Sequence, residues 1–235
     1  MNCIICNLTV SIPATGGMSS RCKDYETNEP VSADITICAD KYNVNNWPTL
    51  SYDDAVYMES GGQFYCQLLR FNGMMLHASA VELDGKAYLF SGPCGMGKST
   101  HTRLWQQLFG DRARVFNDDK PALRRLDDRW YAYGTPWCGK DGININMKVP
   151  LAGICFLRRG EENIIRRLSE KEAMAYVISQ TMRRFKNEQN LDLMLAHVEK
   201  LVSEIPVYEF FNKPEPDAAR LSYETMRCGA EEARL

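Results

Sequence analysis

The residues best suited to chemistry begin in a glycine-rich segment that matches the pattern G-x-x-x-x-G-K-[ST]. Glycines let consecutive backbone N–H groups face phosphate oxygens, and a following helix offers its positive N-terminal end. We expect Lys98 to reach the β and γ phosphates of a nucleotide, and the Ser99 hydroxyl to ligate the accompanying Mg²⁺. The pattern therefore predicts a site for ATP and Mg²⁺, with a chance match as the alternative. The predicted nucleotide-binding residues are Gly92, Pro93, Cys94, Gly95, Met96, Gly97, Lys98, Ser99 and Thr100.

An acidic pair, Asp118 and Asp119, ends an apolar segment that begins near Ala113. One helix and a tight return separate the pair from Ser99, so we expect it on the neighbouring strand, close to the phosphates. One carboxylate can hold Mg²⁺ while the other accepts the proton of an attacking hydroxyl, as phosphoryl transfer requires. The alternative is a solvated turn at a strand end.

Two further features carry weaker signals. His77 is predicted to lie beside the nucleotide, where a histidine can contact phosphate or tune a carboxylate; the alternative is a half-buried strand histidine. The segment from Gly134 to Gly142 contains glycines, an aromatic ring and a cation, which is typical of a mobile loop closing over nucleotide or acceptor. We expect Thr135, Trp137 and Lys140 to serve there, with an ordinary surface loop as the alternative.

The elements around the glycine-rich segment are predicted from apolar runs and turn signals. KAYLFS reads as a strand leading into the segment, and STHTRLWQQLF as a helix ending at Gly110. Asp84 and Gly85 separate two apolar runs, which is a strong hairpin signal because primed turns need positive φ. ARVFNDD is the strand that carries the acidic pair, so a strand-helix-strand unit is implied.

The first third of the chain is predicted to be mainly β. Residues 1–12, ITICA, QFYCQLLRF and MMLHASAVEL have the β-branched and aromatic content of strands, with Gly61, Gly62 and Gly73 between them. We therefore expect a mainly β part over residues 1–72.

The remainder mixes strands with helices. WYAYG, LAGICFLRR, NIIRRL and PVYEFF are strand candidates, the second and third paired across the turn from Gly160 to Glu162. Ser169 and Glu172 form a capping box at the start of a helix, and two further helices cover LDLMLAHVEKLVSEI and residues 216–227. A helix-rich part is expected over residues 169–235. No convincing linker divides the chain, which predicts one domain over residues 1–235.

Composition excludes several classes of protein. Hydrophobic residues make up 45% and charged residues 25% of the 235 residues, as in an ordinary globular protein. The formal net charge is -2, and no long Lys/Arg block supplies the stripe that nucleic-acid binding needs. No apolar stretch approaches the roughly 18 residues of a membrane span. We expect a cytoplasmic protein with reduced thiols, no nucleic-acid partner and no membrane partner.

The segment HASAVELDGKAYLFSGPCGMGKST, followed by VFNDDKP, resembles the kinase core of HPr kinase/phosphorylase, which shares its nucleotide-binding fold with phosphoenolpyruvate carboxykinase. The resemblance covers about residues 74–150. It implies a mixed, largely antiparallel β-sheet with flanking helices, in an α/β protein that carries a P-loop. It also implies Asp118 as the base and Asp119 as the metal partner together with Ser99, and His77 occupies the position of a histidine that precedes the hairpin in that superfamily and is taken as a catalytic residue. NDDKPALRR, YGTPWCGKDGIN and KVPL further resemble an uncharacterised bacterial group related to this kinase.

The chain departs from these families in two places. HPr kinases carry a Glu-x-Arg-Gly signature after the acidic pair, where this chain has YGTPWCGKDGIN, so neither a third metal carboxylate nor phosphorylase activity is predicted. Carboxykinases have a substrate-binding domain for which this chain has no room. HPr kinases form hexamers, and a homo-oligomer is one state that the resemblance allows.

The leading hypothesis is a P-loop kinase that transfers the γ-phosphoryl group of ATP to a hydroxyl. The acceptor is a serine of a protein or peptide, or a small alcohol such as free serine. The alternative is a regulatory module that binds or hydrolyses ATP without phosphorylating an acceptor.

Overall fold

The computed structural model describes residues 1–29, 32–182, 185 and 187–232. The strands are β1 (Asn2–Ile5), β2 (Leu8–Ser11), β3 (Ile35–Thr36), β4 (Gly73–Met75), β5 (Ala78–Leu83), β6 (Lys86–Ser91), β7 (Ala113–Asp119), β8 (Ala122–Leu126), β9 (Arg129–Tyr133), β10 (Lys148–Arg159), β11 (Ile164–Arg167) and β12 (Val207–Asn212). The helices are α1 (Met18–Cys22), α2 (Tyr52–Leu68), α3 (Lys98–Phe109), α4 (Glu170–Gln180), α5 (Glu188–Glu204) and α6 (Pro216–Glu232). Within these described ranges, no helix is both long and apolar enough to cross a membrane.

Most strands of the described chain form one mixed sheet. Its order is β4-β8-β9-β10-β6-β5-β7, with β12 beside the carboxyl-terminal half of β10 and β11 outside β12. Strand β10 runs parallel to β6 and β12, whereas the other neighbours in this sheet pair antiparallel. A small second sheet contains β1, β2 and β3. The mixed α/β class and the largely antiparallel sheet with flanking helices are confirmed.

Alternation along β10 explains why helices cover both faces of the sheet. Ile154 and Phe156 join a core cluster that includes residues of α4 and α5. Cys155 and Leu157 point the other way, into a cluster that includes residues of α3 and α6. Successive side chains of a strand face opposite sides, so a strand that is apolar throughout must be covered on both.

The elements predicted around the glycine-rich segment are confirmed. Asp84 (φ 51°) and Gly85 (φ 74°) close the β5–β6 hairpin with positive φ at both turn residues, as the Asp-Gly pair predicts. Helix α3 follows the segment and ends before Gly110, whose φ of 58° suits glycine. The capping box of Ser169 and Glu172 is present at the start of α4.

The prediction that residues 1–72 are mainly β is wrong. Residues 1–12 form a hairpin and not one strand, turning at Cys6 and Asn7, which have positive φ. QFYCQLLRF lies mostly in the 17-residue helix α2, whose buried residues Val56, Phe64 and Leu68 follow a helical spacing. Its aromatic content favoured a strand, but the helical period over the longer segment decides the structure.

Two predictions of which strands lie side by side are also wrong. Strands β10 and β11 do not form a hairpin, because β12 lies between them. β12 is buried along nearly its whole length and β11 is mostly exposed, so β12 belongs inside the sheet and β11 at its edge. The acidic strand β7 is not next to β6, because β5 pairs with both of them.

Substitution of Gly134 tests the packing of the chain between β9 and β10. A Cβ at Gly134 would lie 1.9 Å from the Ile145 carbonyl oxygen and 3.0 Å from that of Phe116. Both contacts are with backbone atoms, which can move only at a large cost in free energy. We therefore expect Gly134→Ala to lower the free energy of unfolding by at least about 3 kcal/mol, measured by urea denaturation.

The matched control is Gly62→Ala in α2, where no atom lies within 4 Å of the added Cβ. Alanine favours a helix interior over glycine, so this variant should gain up to about 1 kcal/mol. Equal stability of Gly134→Ala and wild type would contradict the placement of Gly134.

Candidate active site

The glycine-rich segment forms a loop between β6 and α3, as the sequence predicts. Gly95 (φ 76°) and Gly97 (φ 92°) adopt the left-handed backbone that glycine allows, and Gly97 caps α3. Lys98 is buried, and its Nζ donates to the carbonyl oxygens of Gly92 (2.9 Å) and Pro93 (3.1 Å). Burial lowers the pKa of Lys98. The loop therefore places a cation and the N-terminus of α3 at one point, the requirement for binding phosphate.

Strand β5 brings the acidic pair to this loop. Its first residue, Ala78, pairs with Ser91 on one side and with Asp119 on the other. Asp118 lies next to the start of α3, where the Ser99 hydroxyl donates to its Oδ1 at 3.1 Å. The predicted closeness of the acidic pair and the loop is therefore present, although β7 is two strands away from β6.

Asp119 points to a different group of side chains. Its Oδ2 accepts from the Tyr57 hydroxyl at 2.7 Å and pairs with Lys120, while Lys120 also donates to the Tyr57 oxygen at 3.0 Å. The Gly139 N–H donates to the same oxygen at 3.1 Å. Burial alone would raise the pKa of Asp119, but Lys120, Tyr57 and His77 outweigh it, so the pKa lies below its usual range. Asp119 is therefore ionised at neutral pH.

His77 lies beside Asp119. Its Nε2 is 3.4 Å from Asp119 Oδ1, and its Nδ1 is 3.2 Å from Gln180 Oε1. Burial and the charge of Lys98 lower the pKa of His77, so the ring is neutral at pH 7. The Ser91 hydroxyl donates to the His77 carbonyl oxygen, which ties this residue to the strand that precedes the loop.

A cavity of about 290 Å³ opens beside this group. Its lining brings several polar side chains together in a concave surface, including His77 and Asp119, which is the form that ligand sites take. Its lining residues are Met75, His77, Asp119, Lys120, Ser179, Gln180 and Thr181.

The predicted lid is wrong for two of its three residues. Thr135 and Trp137 have no exposed surface, and Trp137 stacks on Phe64 with ring centroids 4.6 Å apart. The Thr135 hydroxyl donates to the Lys120 carbonyl oxygen at 2.9 Å, so this segment packs against the end of the acidic strand and does not cover the cavity. Lys140 is exposed, in the turn that follows.

Among the described residues, no group of three or more His, Cys, Asp or Glu side chains is placed to hold a metal. The residues suited to Mg²⁺ are the Ser99 hydroxyl and the Asp118 carboxylate, which already lie in contact. Both are oxygen donors, the kind that Mg²⁺ binds alongside substrate phosphates.

Comparison with protein families matches residues 53–211 to the family described as "SynChlorMet cassette protein ScmC". This chain belongs to the ScmC family. A solved structure, the Hpr(Ser) kinase/phosphatase from Coxiella burnetii, is similar at 12% identity and a TM-score of 0.37. The alignment covers 68% of this chain and 96% of that one. No curated protein matches the sequence.

Four residues of the site are not predicted from the sequence: Tyr57, Lys120, Gln180 and Arg21. The ScmC match, over residues 53–211, includes Tyr57, Lys120 and Gln180. Tyr57, Lys120 and Gln180 contact the acidic pair or His77. Arg21, in α1, donates to the Gly139 carbonyl oxygen at 2.9 Å. Lys120 follows the acidic pair directly, so its position in the sequence is a signal that could have identified it. Tyr57, Gln180 and Arg21 are distant in the chain and lie in no motif.

The hydroxyl of Tyr57 provides a test of this geometry. We expect Tyr57→Phe to lower the free energy of unfolding at pH 7 by about 1.5–3 kcal/mol, because a charged carboxylate loses a hydrogen bond. The pKa of Asp119 is depressed by folding, so its ionised form adds stability that is present above the unfolded pKa and lost as pH falls through the folded one. The difference from wild type in urea denaturation should therefore shrink on acidification.

Tyr52→Phe is the control, since Tyr52 lies in the same helix with its side chain 62% exposed. It should change stability by no more than about 0.5 kcal/mol. A Tyr57→Phe penalty that is the same at every pH would show that the hydroxyl does not act on the Asp119 charge.

Proposed function

We propose that this protein is a kinase that transfers the γ-phosphoryl group of ATP to a hydroxyl, in the presence of Mg²⁺. The observation that carries the proposal is the contact between Ser99 Oγ and Asp118 Oδ1 at 3.1 Å, immediately after a complete phosphate-binding loop. A serine and a carboxylate paired at the start of this helix are the protein ligands that P-loop enzymes use for Mg²⁺. The alternative, a solvated turn at the end of β7, does not require this contact with α3.

The loop and the start of α3 would bind and orient the nucleotide. Backbone N–H groups of residues 95–99 would face the phosphates, and Lys98 would exchange its carbonyl partners for β and γ oxygens, which carry charge. Ser99 and Asp118 would hold Mg²⁺, which neutralises charge on the transferring phosphoryl group when bound.

Asp119 is the better candidate for the base. Asp118 contacts Ser99, whereas Asp119 lies at the cavity, facing His77. We therefore propose the reverse of the assignment that the family resemblance implies, with Asp118 as the metal partner and Asp119 as the proton acceptor. His77 would orient the Asp119 carboxylate or the incoming hydroxyl, since its ring is neutral at pH 7.

The size of the cavity supports a small acceptor group. A volume of about 290 Å³ is enough for one side chain or a small alcohol. Among the described residues that line the cavity, the one cation is Lys120, and it is paired with Asp119. A serine of a peptide or protein, or free serine, remains the proposed acceptor class, in the cytoplasm where ATP is available.

One observation favours the second candidate, a module that binds or hydrolyses ATP without an acceptor. Asp119 already accepts from Tyr57 and Lys120, and its depressed pKa makes it a weak proton acceptor. The two functions differ in one measurement. A kinase consumes ATP faster when its acceptor is present, whereas a regulatory module shows no acceptor-dependent turnover and forms no phosphorylated product.

Removal of the loop cation tests nucleotide binding. Mg²⁺-ATP at about 100 times its dissociation constant should stabilise the wild type by about 2.7 kcal/mol, seen as a higher melting temperature. Lys98→Ala should fold but lose most of this shift, because a cation facing the β and γ phosphates is gone.

Lys171→Ala, which removes an exposed lysine from α4, should keep the full shift. If Lys98→Ala and wild type respond equally to Mg²⁺-ATP, the loop is not the nucleotide site.

The roles of Asp118 and Asp119 can be distinguished by comparing two variants. Asp118→Asn should weaken Mg²⁺-ATP binding in calorimetry, because the metal loses a ligand. Asp119→Asn should bind Mg²⁺-ATP almost as wild type does, yet lose about 10² to 10⁴ in transfer rate, because proton abstraction contributes only in the transition state.

The acceptor for this assay comes from a phosphotransfer screen of serine peptides and small alcohols with labelled ATP. If Asp119→Asn loses nucleotide affinity and Asp118→Asn keeps it, the assignment implied by the family resemblance is the right one. Wild-type transfer by both variants would rule out the mechanism.

A further inference from the structure

The carboxyl-terminal end of β10 lies against the first part of the phosphate-binding loop. β10 runs parallel to β6, with Phe156 paired to Ser91, the last residue before the loop. The Leu157 carbonyl oxygen is 3.1 Å from where a Cβ on Gly92 would stand. Residues that follow Leu157 on β10 therefore emerge beside the loop and not at a remote edge of the sheet.

Strand alternation decides which of the two arginines at this end can reach the loop. Arg158 lies on the face covered by α4, where it donates to Glu209 Oε1 at 2.7 Å and to the Tyr176 hydroxyl at 2.8 Å. Glu209 is nearly buried, so this pair anchors the strand end. Arg159 takes the opposite face, the one that Leu157 shares with α3, the helix that begins at the loop.

Arg159 does reach the loop. Its side chain is exposed, and Nη2 donates to the Gly95 carbonyl oxygen at 3.3 Å. Lys98 donates to two other carbonyl oxygens of the same loop. Two cations therefore contact carbonyl oxygens of this loop, Lys98 from α3 and Arg159 from β10.

We infer that Arg159 is a second phosphate-binding cation of this site, contacting the phosphate oxygens of a bound nucleoside triphosphate. This inference rests on the proposed nucleotide site and names a residue that no sequence motif marks. The guanidinium presents several donors in a plane, and its hydrogen bonds to a charged phosphate oxygen are stronger than those to a neutral carbonyl. A short movement from Gly95 oxygen to phosphate would exchange the weaker acceptor for the stronger one.

The test measures Mg²⁺-ATP binding by calorimetry, which needs no knowledge of the acceptor. Arg159→Gln should weaken binding by about 10- to 100-fold, the loss of a charge-assisted hydrogen bond. Arg159→Lys should recover part of the affinity, since it restores the charge without the planar fork. Arg159→Glu should weaken binding further than Arg159→Gln, because it places an anion beside the phosphates.

Arg114→Gln and Arg114→Glu are the matched controls, because Arg114 is exposed at the start of β7, the end opposite Asp118 and Asp119. Both should bind Mg²⁺-ATP as wild type does, which excludes an effect of net charge alone. If Arg159→Gln and Arg159→Glu lose the same affinity, Arg159 only braces the Gly95 backbone and the inference is overturned.

Lys98→Ala separates this inference from the proposed function. If Lys98→Ala loses Mg²⁺-ATP binding but the Arg159 variants do not, the nucleotide site stands and Arg159 is a surface contact. If Lys98→Ala binds Mg²⁺-ATP as wild type does, the nucleotide site itself is wrong and the role of Arg159 falls with it.

Discussion

The site depends on the register of β5 between β6 and β7. Because β5 is antiparallel to both, its first residue, Ala78, has the end of β6 on one side and the end of β7 on the other. The glycine-rich loop begins after Ser91 and the acidic pair ends β7, so one set of backbone hydrogen bonds brings the loop and the pair to one place. A shift of β5 by one residue would turn its side chains to the wrong faces and separate the two groups.

That register places Asp118 and Asp119 next to the proposed site for nucleotide phosphates, and the surrounding chain compensates the charge of the two aspartates. Lys98 and Lys120 supply cations from α3 and from the residue after β7. Tyr57 adds a hydrogen bond from α2, and its ring lies 4.4 Å from Lys120 Nζ. Helix α2 belongs to the part of the chain before the core strands, so this part helps, through Tyr57, to orient Asp119 and to lower its pKa.

The sequence was sufficient for local features and insufficient for contacts between distant segments. The loop, the Asp-Gly hairpin and the capping box at Ser169 depend on residues next to one another, and each is present. The sequence does not predict helix α2, because its aromatic residues suit a strand as well and Gly61 is a residue typical of turns. In fact Gly61 makes room for Trp137, whose indole would lie 2.9 Å from a Cβ there. Neither Gly61 nor Trp137 carries any signal in the sequence that indicates this contact.

The acidic pair shows why residue type and spacing leave chemical roles open. Asp118 and Asp119 are adjacent and identical in type, yet the side chains around them differ completely. Ser99 contacts one, and Tyr57, Lys120 and His77 surround the other. In a pair of titratable groups the surroundings set the division between metal ligand and proton acceptor. Those surroundings come from α2, α3 and the start of β5, and only the folded chain brings them together.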